Sequence, residues 1–219
     1  MTESAARRVE LIARTAMRLV AERGLRGLTH RAVDEAAGLP AGSTSYHART
    51  RARLLEITLR HLADETTRQL APLAEALPGP GDGPPGTPSP WSRDALADVL
   101  ADFVHTGITR DPARMRARYE LALESVRRPE LRAIYDELSA AFHRFAATVL
   151  TRAGSPEPAR HARTAIAWTD GLIFDSLVGG GAASPPTREE LRCAATEMLA
   201  GLLDGPTTTD SASAPDGVR

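Results

Sequence analysis

The chain has 219 residues, 42% of them apolar and 25% charged, with a single cysteine and a formal net charge of −1. That length can bury a real core as one large or two small domains, the lone Cys193 excludes an intrachain disulfide and a cysteine-based zinc site, and no apolar run approaches the ~20 residues of a membrane span. Residues 1–60 hold 11 arginines against 6 acids and residues 61–219 hold 16 against 22, with no lysine anywhere, so a basic head on an acidic body points to a polyanion partner for the N-terminal third. The N-terminus lacks the continuous apolar stretch of a signal peptide, and a cytoplasmic protein is expected.

Apolar residues recur at helical spacing along the whole chain and no strand pattern appears. The first helix is predicted from Ala5 to Arg23, with a stripe of Val9, Ile12, Ala16, Leu19 and Val20, and with Gly24 and Gly27 ending it. Thr29 can cap a short helix from His30 to Ala37, Gly38 breaks the chain, and Pro40 to Tyr46 can form another short helix. Thr50 can cap a longer one from Arg51 to Ala71. Residues 78–90, PGPGDGPPGTPSP, are ten-thirteenths glycine and proline and read as an exposed loop. Helices opened by Ser92, by Asp111-Pro112 and by Pro129 follow, the last ending at Gly154. Two more are predicted over 157–178 and 188–204, the second behind a Thr187–Glu190 capping box. The polar residues 205–219 read as a disordered tail.

The segment Leu28 to Leu55, LTHRAVDEAAGLPAGSTSYHARTRARLL, places two short helices around a glycine turn, the signature of a helix-turn-helix. Ala32, Ala36 and Ala37 would let the helices cross closely, with Leu39 plugging the crossing. The second helix would present Ser43, Ser45, Tyr46 and His47, side chains able to bond phosphates and base edges, flanked by Arg31, Arg49, Arg51 and Arg53. An ordinary helical hairpin with a solvated basic face has the same pattern.

Residues Val9 to Ala16, Gly24-Leu25-Arg26-Gly27-Leu28-Thr29, Ala36-Ala37-Gly38-Leu39, Gly42 to His47 and Arg51 to Leu55 together resemble the N-terminal domain of the tetracycline-repressor (TetR) family of transcription regulators. The resemblance implies an all-α fold: a three-helix helix-turn-helix DNA-binding domain over 1–50 and a helical effector-binding and dimerisation domain over 51–204. It implies a DNA-binding set of Thr29, Arg31, Gly42, Ser43, Ser45, Tyr46, His47 and Arg51, the last at a phosphate-contacting position. Two positions depart from the family pattern. Ser45 stands where an aromatic residue is usual, and Ala48 stands where phenylalanine is usual, which removes a core anchor and predicts altered packing of the third helix.

The apolar stripes of the last two helices read either as intramolecular core or as a dimer interface. With the family resemblance they imply a homodimer pairing in a four-helix bundle through Ile166, Leu172, Ile173, Leu191, Ala195, Met198 and Leu202. Small residues such as Ala162, Ala165 and Gly201 would permit close approach. A pocket for a mostly apolar effector is expected among the middle helices, with Phe103, Met115, Tyr119, Phe142 and Trp168 as walls and His105 or Glu120 as polar anchors, simple core packing being the competing reading of each. Asp170 and Asp175 read either as ligand groups or as the solvated face of their helix, and Gly179-Gly180-Gly181 reads as a turn. No two of His30, His47, His61, His105, His143 and His161 lie three or four residues apart, so no helical metal pair, and no metal or cofactor, is expected. The reading is a repressor that leaves an inverted-repeat duplex when a small molecule binds. The competing readings are an all-helical enzyme and a protein-interaction module.

Overall fold

The structure is a computed structural model that describes residues 3–76 and 92–204. The predicted glycine-proline loop and the polar tail lie outside the described residues. Among these, the chain is all helical: α1 Glu3–Gly27, α2 His30–Ala37, α3 Ser43–His47, α4 Arg51–Ala76, α5 Arg93–Thr109, α6 Pro112–Ser125, α7 Pro129–Arg152, α8 Pro158–Leu177 and α9 Arg188–Leu203. The glycines after α8 form one 3₁₀ turn, Gly180–Ala183.

The local signals act as their chemistry dictates. Ser92 accepts the Ala95 N–H at the start of α5, and Thr187 and Glu190 form the reciprocal capping box at the start of α9. Prolines occupy the first turns of α6, α7 and α8, where a missing N–H breaks no helical bond. One prediction is corrected here. Gly24 does not end α1 but kinks it, with φ 65° and ψ 178°, and the helix resumes to Gly27.

One apolar cluster runs through the head and beyond it. Ile12, Ala16, Leu19 and Val20 of α1 meet Leu28, Val33 and Leu54 of the head, and the same cluster takes in Ala117 and Leu121 of α6 with Leu131 and Ile134 of α7. The basic head is therefore bolted to the body through α1 on α6 and α4 on α7. A second cluster joins α5, α7, α8 and α9 through Leu96, Leu150, Ala162, Ala195 and Leu199. A third joins α5, α6, α8 and α9 through Val104, Met115, Ile173 and Leu191. Arginines of α9 add a surface ladder on α5: Arg188 bonds Asp98 at 3.0 Å and Asp102 at 2.6 Å, and Arg192 bonds Asp98 at 3.2 Å.

This packing reassigns the stripe expected to form a dimer. Ile173, Leu191, Ala195 and Leu202 are buried in the chain's own core, and Leu172 and Met198 pack partly buried against it. Ile166 lines interior cavities. A helical stripe reports which face points inward, but the partner it meets is set by tertiary packing. The exposed residues of α8 include Arg163, Thr164, Ala167, Gly171, Phe174 and Asp175, followed by Val178 at its C-terminal cap.

Leu199 is 1% exposed between α5 and α9. Leu199→Ala is expected to lower the unfolding free energy by about 2–5 kcal/mol through lost burial and the cavity left behind. Arg132→Ala removes an exposed i,i+4 pair with Asp136 and is expected to change it by less than about 0.5 kcal/mol. Urea denaturation of the two variants checks the contrast.

Candidate nucleic-acid interface and ligand cavities

The helix-turn-helix is closed by backbone geometry and one carboxylate. Thr29 accepts the Ala32 N–H at 3.1 Å and so starts α2. Gly38 ends it in the left-handed region, φ 64° and ψ 33°, and Gly42 precedes α3 at φ 89°. A side chain at such positions costs roughly 1–2 kcal/mol, which explains two glycines four residues apart in one short turn. Pro40 to Gly42 form a turn rather than the start of the helix, since the Ser43 N–H and hydroxyl both donate to the Pro40 carbonyl, at 3.1 and 2.6 Å.

Asp34 carries the junction. Its Oδ2 accepts the Gly42 N–H at 2.8 Å, and its Oδ1 accepts the Thr44 N–H at 2.8 Å and the Thr44 hydroxyl at 2.5 Å. Both residues are buried. The five-residue α3 has no side-chain cap of its own, and so short a helix is unstable alone. The Asp34 carboxylate supplies from α2 what a cap would supply, satisfying the first N–H groups and facing the positive end of the helix. At the other end, the His30 ring donates from Nε2 to the Ala48 carbonyl at 2.6 Å. Ala48 itself is completely buried, so the small residue stays in the core and α3 is held at both termini from α2.

The outward edge of α3 is Ser45 and Tyr46, with Tyr46 81% exposed. The half-buried His47 meets the Tyr46 ring edge-on at 5.0 Å. Ser43, Tyr46 and His47 line an open hollow together with Ser4, Ala5 and Arg8 of α1. Sequence reasoning missed Arg8, because its helical register marks it as solvated but only folding brings it beside α3. Ala36, expected in the helix crossing, is exposed. Arg31 is exposed and bonded to Glu35 at 2.7 Å, an interaction that raises its pKa. Arg51, expected at phosphate, donates its guanidinium to the Leu25 and Leu28 carbonyls at the end of α1. It thereby braces the end of α1, where the Leu25 carbonyl also accepts the Leu28 N–H at 3.3 Å.

Two cavities lie among the helices of the C-terminal half. One of about 100 Å³ is lined almost wholly by apolar side chains, including Leu96, Leu100, Phe145, Val149 and Leu199. The other, about 130 Å³, is walled by Arg114, Arg118, Tyr135, His143 and Asp170 as well as by Met115. Phe103, Phe142 and Ile166 line both, and the Phe103 and Phe142 rings stack 6.0 Å apart. Arg118 is ion-paired with Asp170. Burial is the largest influence on Arg118 and pushes it down, but the charge and hydrogen bond of Asp170 together with Tyr135 and Tyr119 outweigh it, so its pKa rises; burial prevails at Arg114, whose pKa falls. Of the expected pocket residues, Phe103, Met115 and Phe142 line these cavities. Tyr119 instead donates to the Asp170 carbonyl at 3.1 Å and packs edge-on against Phe174. Glu120 faces the α1 kink, His105 lines neither cavity, and Trp168 fills the space between two core clusters. The arginines went unremarked, although their i,i+4 spacing beside Met115 puts them on the inward side of α6.

Asp34→Ala strands two buried donors of Thr44, each worth about 1–3 kcal/mol, and frees the part-buried Gly42 N–H, and is expected to lower the unfolding free energy by about 3 kcal/mol or more. Ser45→Ala, on the exposed edge, is expected to change it by less than about 0.5 kcal/mol. Urea denaturation monitored by circular dichroism checks both.

Residues 91–205 match a family model described as the Tetracyclin repressor-like, C-terminal domain. A transcriptional regulator from Rhodococcus sp. Rha1 superposes with a TM-score of 0.71 at 22% identity, over 90% of this chain and 96% of that one. A TetR-family member from Streptomyces coelicolor A3 gives a TM-score of 0.61 at 28% identity, over 87% and 97%. The multidrug binding protein EbrR complexed with ethidium gives the same TM-score, identity and coverage. No curated protein sequence matches the chain. With more than half of its length in the C-terminal family model and a helix-turn-helix at its head, the chain belongs to the TetR family of transcriptional regulators.

Proposed function

We propose that this regulator is a homodimeric repressor that reads an inverted-repeat operator with α3 and releases it when a small molecule occupies the cavities between α5, α6, α7 and α8. The observation that carries the reading is α3 itself. It is a single short helix, clamped by Asp34 and His30, whose outward edge of Ser45 and Tyr46 is left without a protein partner to cover it. Regulators of this family bind DNA, dimerise and bind small ligands. The chain is in this reading a switch, not an enzyme.

Geometry supports each part of this reading. Tyr46 and Ser45 face the base edges, while Arg8 and His47, at the rim of the same hollow, face phosphate. Arg31 must exchange Glu35 for phosphate, and Thr29, Gly42, Ser43 and Arg51 act by positioning α3. The dimer face is the outward side of α8, where Phe174 and Val178 are large, apolar and exposed beside Ala167 and Gly171. α4 begins against the head at Arg51 and reaches the polar cavity at Thr66, so a ligand there can bias the setting of α3. Bias requires tighter binding to the form that does not fit DNA.

The affinity for duplex DNA is expected to fall steeply and log-linearly with salt, and Arg8→Ala to reduce that slope by about one unit. Tyr46→Ala is expected to weaken the best site more than random duplex. Fluorescence anisotropy across a salt series reads both, and a flat salt response contradicts DNA binding. Phe174→Arg is expected to give folded monomers in sedimentation, and an intact dimer would place the interface elsewhere.

A further inference from the structure

The apolar chamber exists because two helices share a support without packing closely on each other. α5 and α7 both pack along α8, and the stack of Phe103 on Phe142, with ring centroids 6.0 Å apart, bridges them. Leu96, Leu100, Phe145, Val149 and Leu199 wall the remaining space of about 100 Å³. Its one polar lining side chain is Thr169, whose hydroxyl already donates to the Ile166 carbonyl at 2.9 Å. The lining side chains therefore offer a ligand neither a charge nor a free donor. Beyond the Phe103 and Phe142 wall, the charges of the polar chamber are matched. Arg118 pairs with Asp170, and Arg114 pairs with Asp111 at 3.4 Å and feels the Glu65 charge as well. Neither chamber calls for an ion.

We infer that the effector is an uncharged, apolar molecule the size of a single ring, seated between α5 and α7 in the apolar chamber. This rests on the effector-binding reading above and names its ligand class. An apolar void holds water poorly, because water there finds no polar partners, and the wall atoms facing the void lose dispersion contacts. An apolar guest of matching size restores those contacts. A carboxylate, an amidinium or an amide gives up its hydration on entry and finds no partner, which makes each of them unfavourable. Size narrows the class further. A closed apolar cavity of about 150 Å³ holds benzene, so a chamber of about 100 Å³ is limited to one ring. Val99 on its rim is 38% exposed, which leaves a short substituent room toward solvent. The site also has a connection to the head. α7 carries Leu131 and Ile134 into the core that it shares with α1 and α4. A ring wedged between α5 and α7 therefore bears on a helix that packs against the base of the head.

Isopropylbenzene, benzamide, benzoate and benzamidinium share one skeleton and differ in polarity and charge. Titrated calorimetrically into the full-length protein, isopropylbenzene is expected to bind at least tenfold tighter than the other three, with the negative heat-capacity change of apolar burial. Ala146→Phe, which fills the apolar chamber, is expected to weaken isopropylbenzene at least tenfold. Ser139→Phe, which fills the polar chamber from the same helix, is expected to leave it unchanged. Benzamide or either ion binding as tightly as isopropylbenzene overturns the inference, as does the absence of isopropylbenzene binding. A folded Ala146→Phe protein with unchanged affinity overturns it too, and so does an equal loss in Ser139→Phe. If Ala146→Phe fails to fold by circular dichroism, the ranking of the four probes on the wild-type protein decides. Operator affinity is measured separately. Isopropylbenzene bound in the apolar chamber with operator affinity unchanged keeps the site and overturns the switch, whereas loss of all duplex binding without ligand overturns the repressor reading alone.

Discussion

The functional end of this molecule depends on the Asp34 carboxylate. α3 is too short to persist by its own backbone bonds, and it begins after a left-handed glycine with no capping side chain. Three donors from Gly42 and Thr44 converge on one buried carboxylate. A buried charge is tolerable only when its hydrogen bonds are made, so the interaction is demanding in both directions. The carboxylate needs α3 in place, and α3 needs the carboxylate. With His30 bonded to the Ala48 carbonyl at the other end, α2 fixes α3 at both termini while the outer edge of α3 stays open. A reading element must present polar side chains to a partner and still hold a single orientation, and bracing from behind reconciles the two.

The same economy of contacts ties the head to the body. The core of the head continues into α6 and α7, so the head is not a bead on a string. Arg51 sits at the junction, bracing the end of α1 from the first turn of α4. From there α4 runs to Thr66 beside the cavity arginines. One helix thus joins the end of α1, beside the head, to the cavity wall.

Much of this was legible in the residues. Hydroxyl caps at Thr29, Thr50, Ser92 and Thr187, with Pro112 and Pro129, marked the starts of six helices, and Gly38 marked the turn. The stripe of α1 placed Ile12, Ala16, Leu19 and Val20 in the core, where they lie. What stayed hidden depends on which inward groups meet. Asp34 looked like one more charge of an amphipathic helix, because its three partners lie eight and ten residues away and converge only when the turn closes. The stripe of Ile173, Leu191, Ala195 and Leu202 announced burial but could not say whether the chain's own helices or a second copy covered it. Arg114 and Arg118 carry no signal in the sequence, beyond their spacing beside Met115, that sets them apart from surface charge; only the packing of the helices places them on a cavity wall. Gly24 reads as a helix stop because glycine ends many helices, whereas here it kinks α1, which continues to Gly27.

The central claim is that the braced α3 reads DNA as one of a two-fold pair. In vitro selection from a random duplex pool with the full-length protein tests it most directly. The account predicts enrichment of an inverted repeat, because two identical reading helices impose their symmetry on the site, and predicts that the same selection with Tyr46→Ala yields a different or weaker consensus. Enrichment of no sequence, or of the same consensus by both proteins, would contradict it.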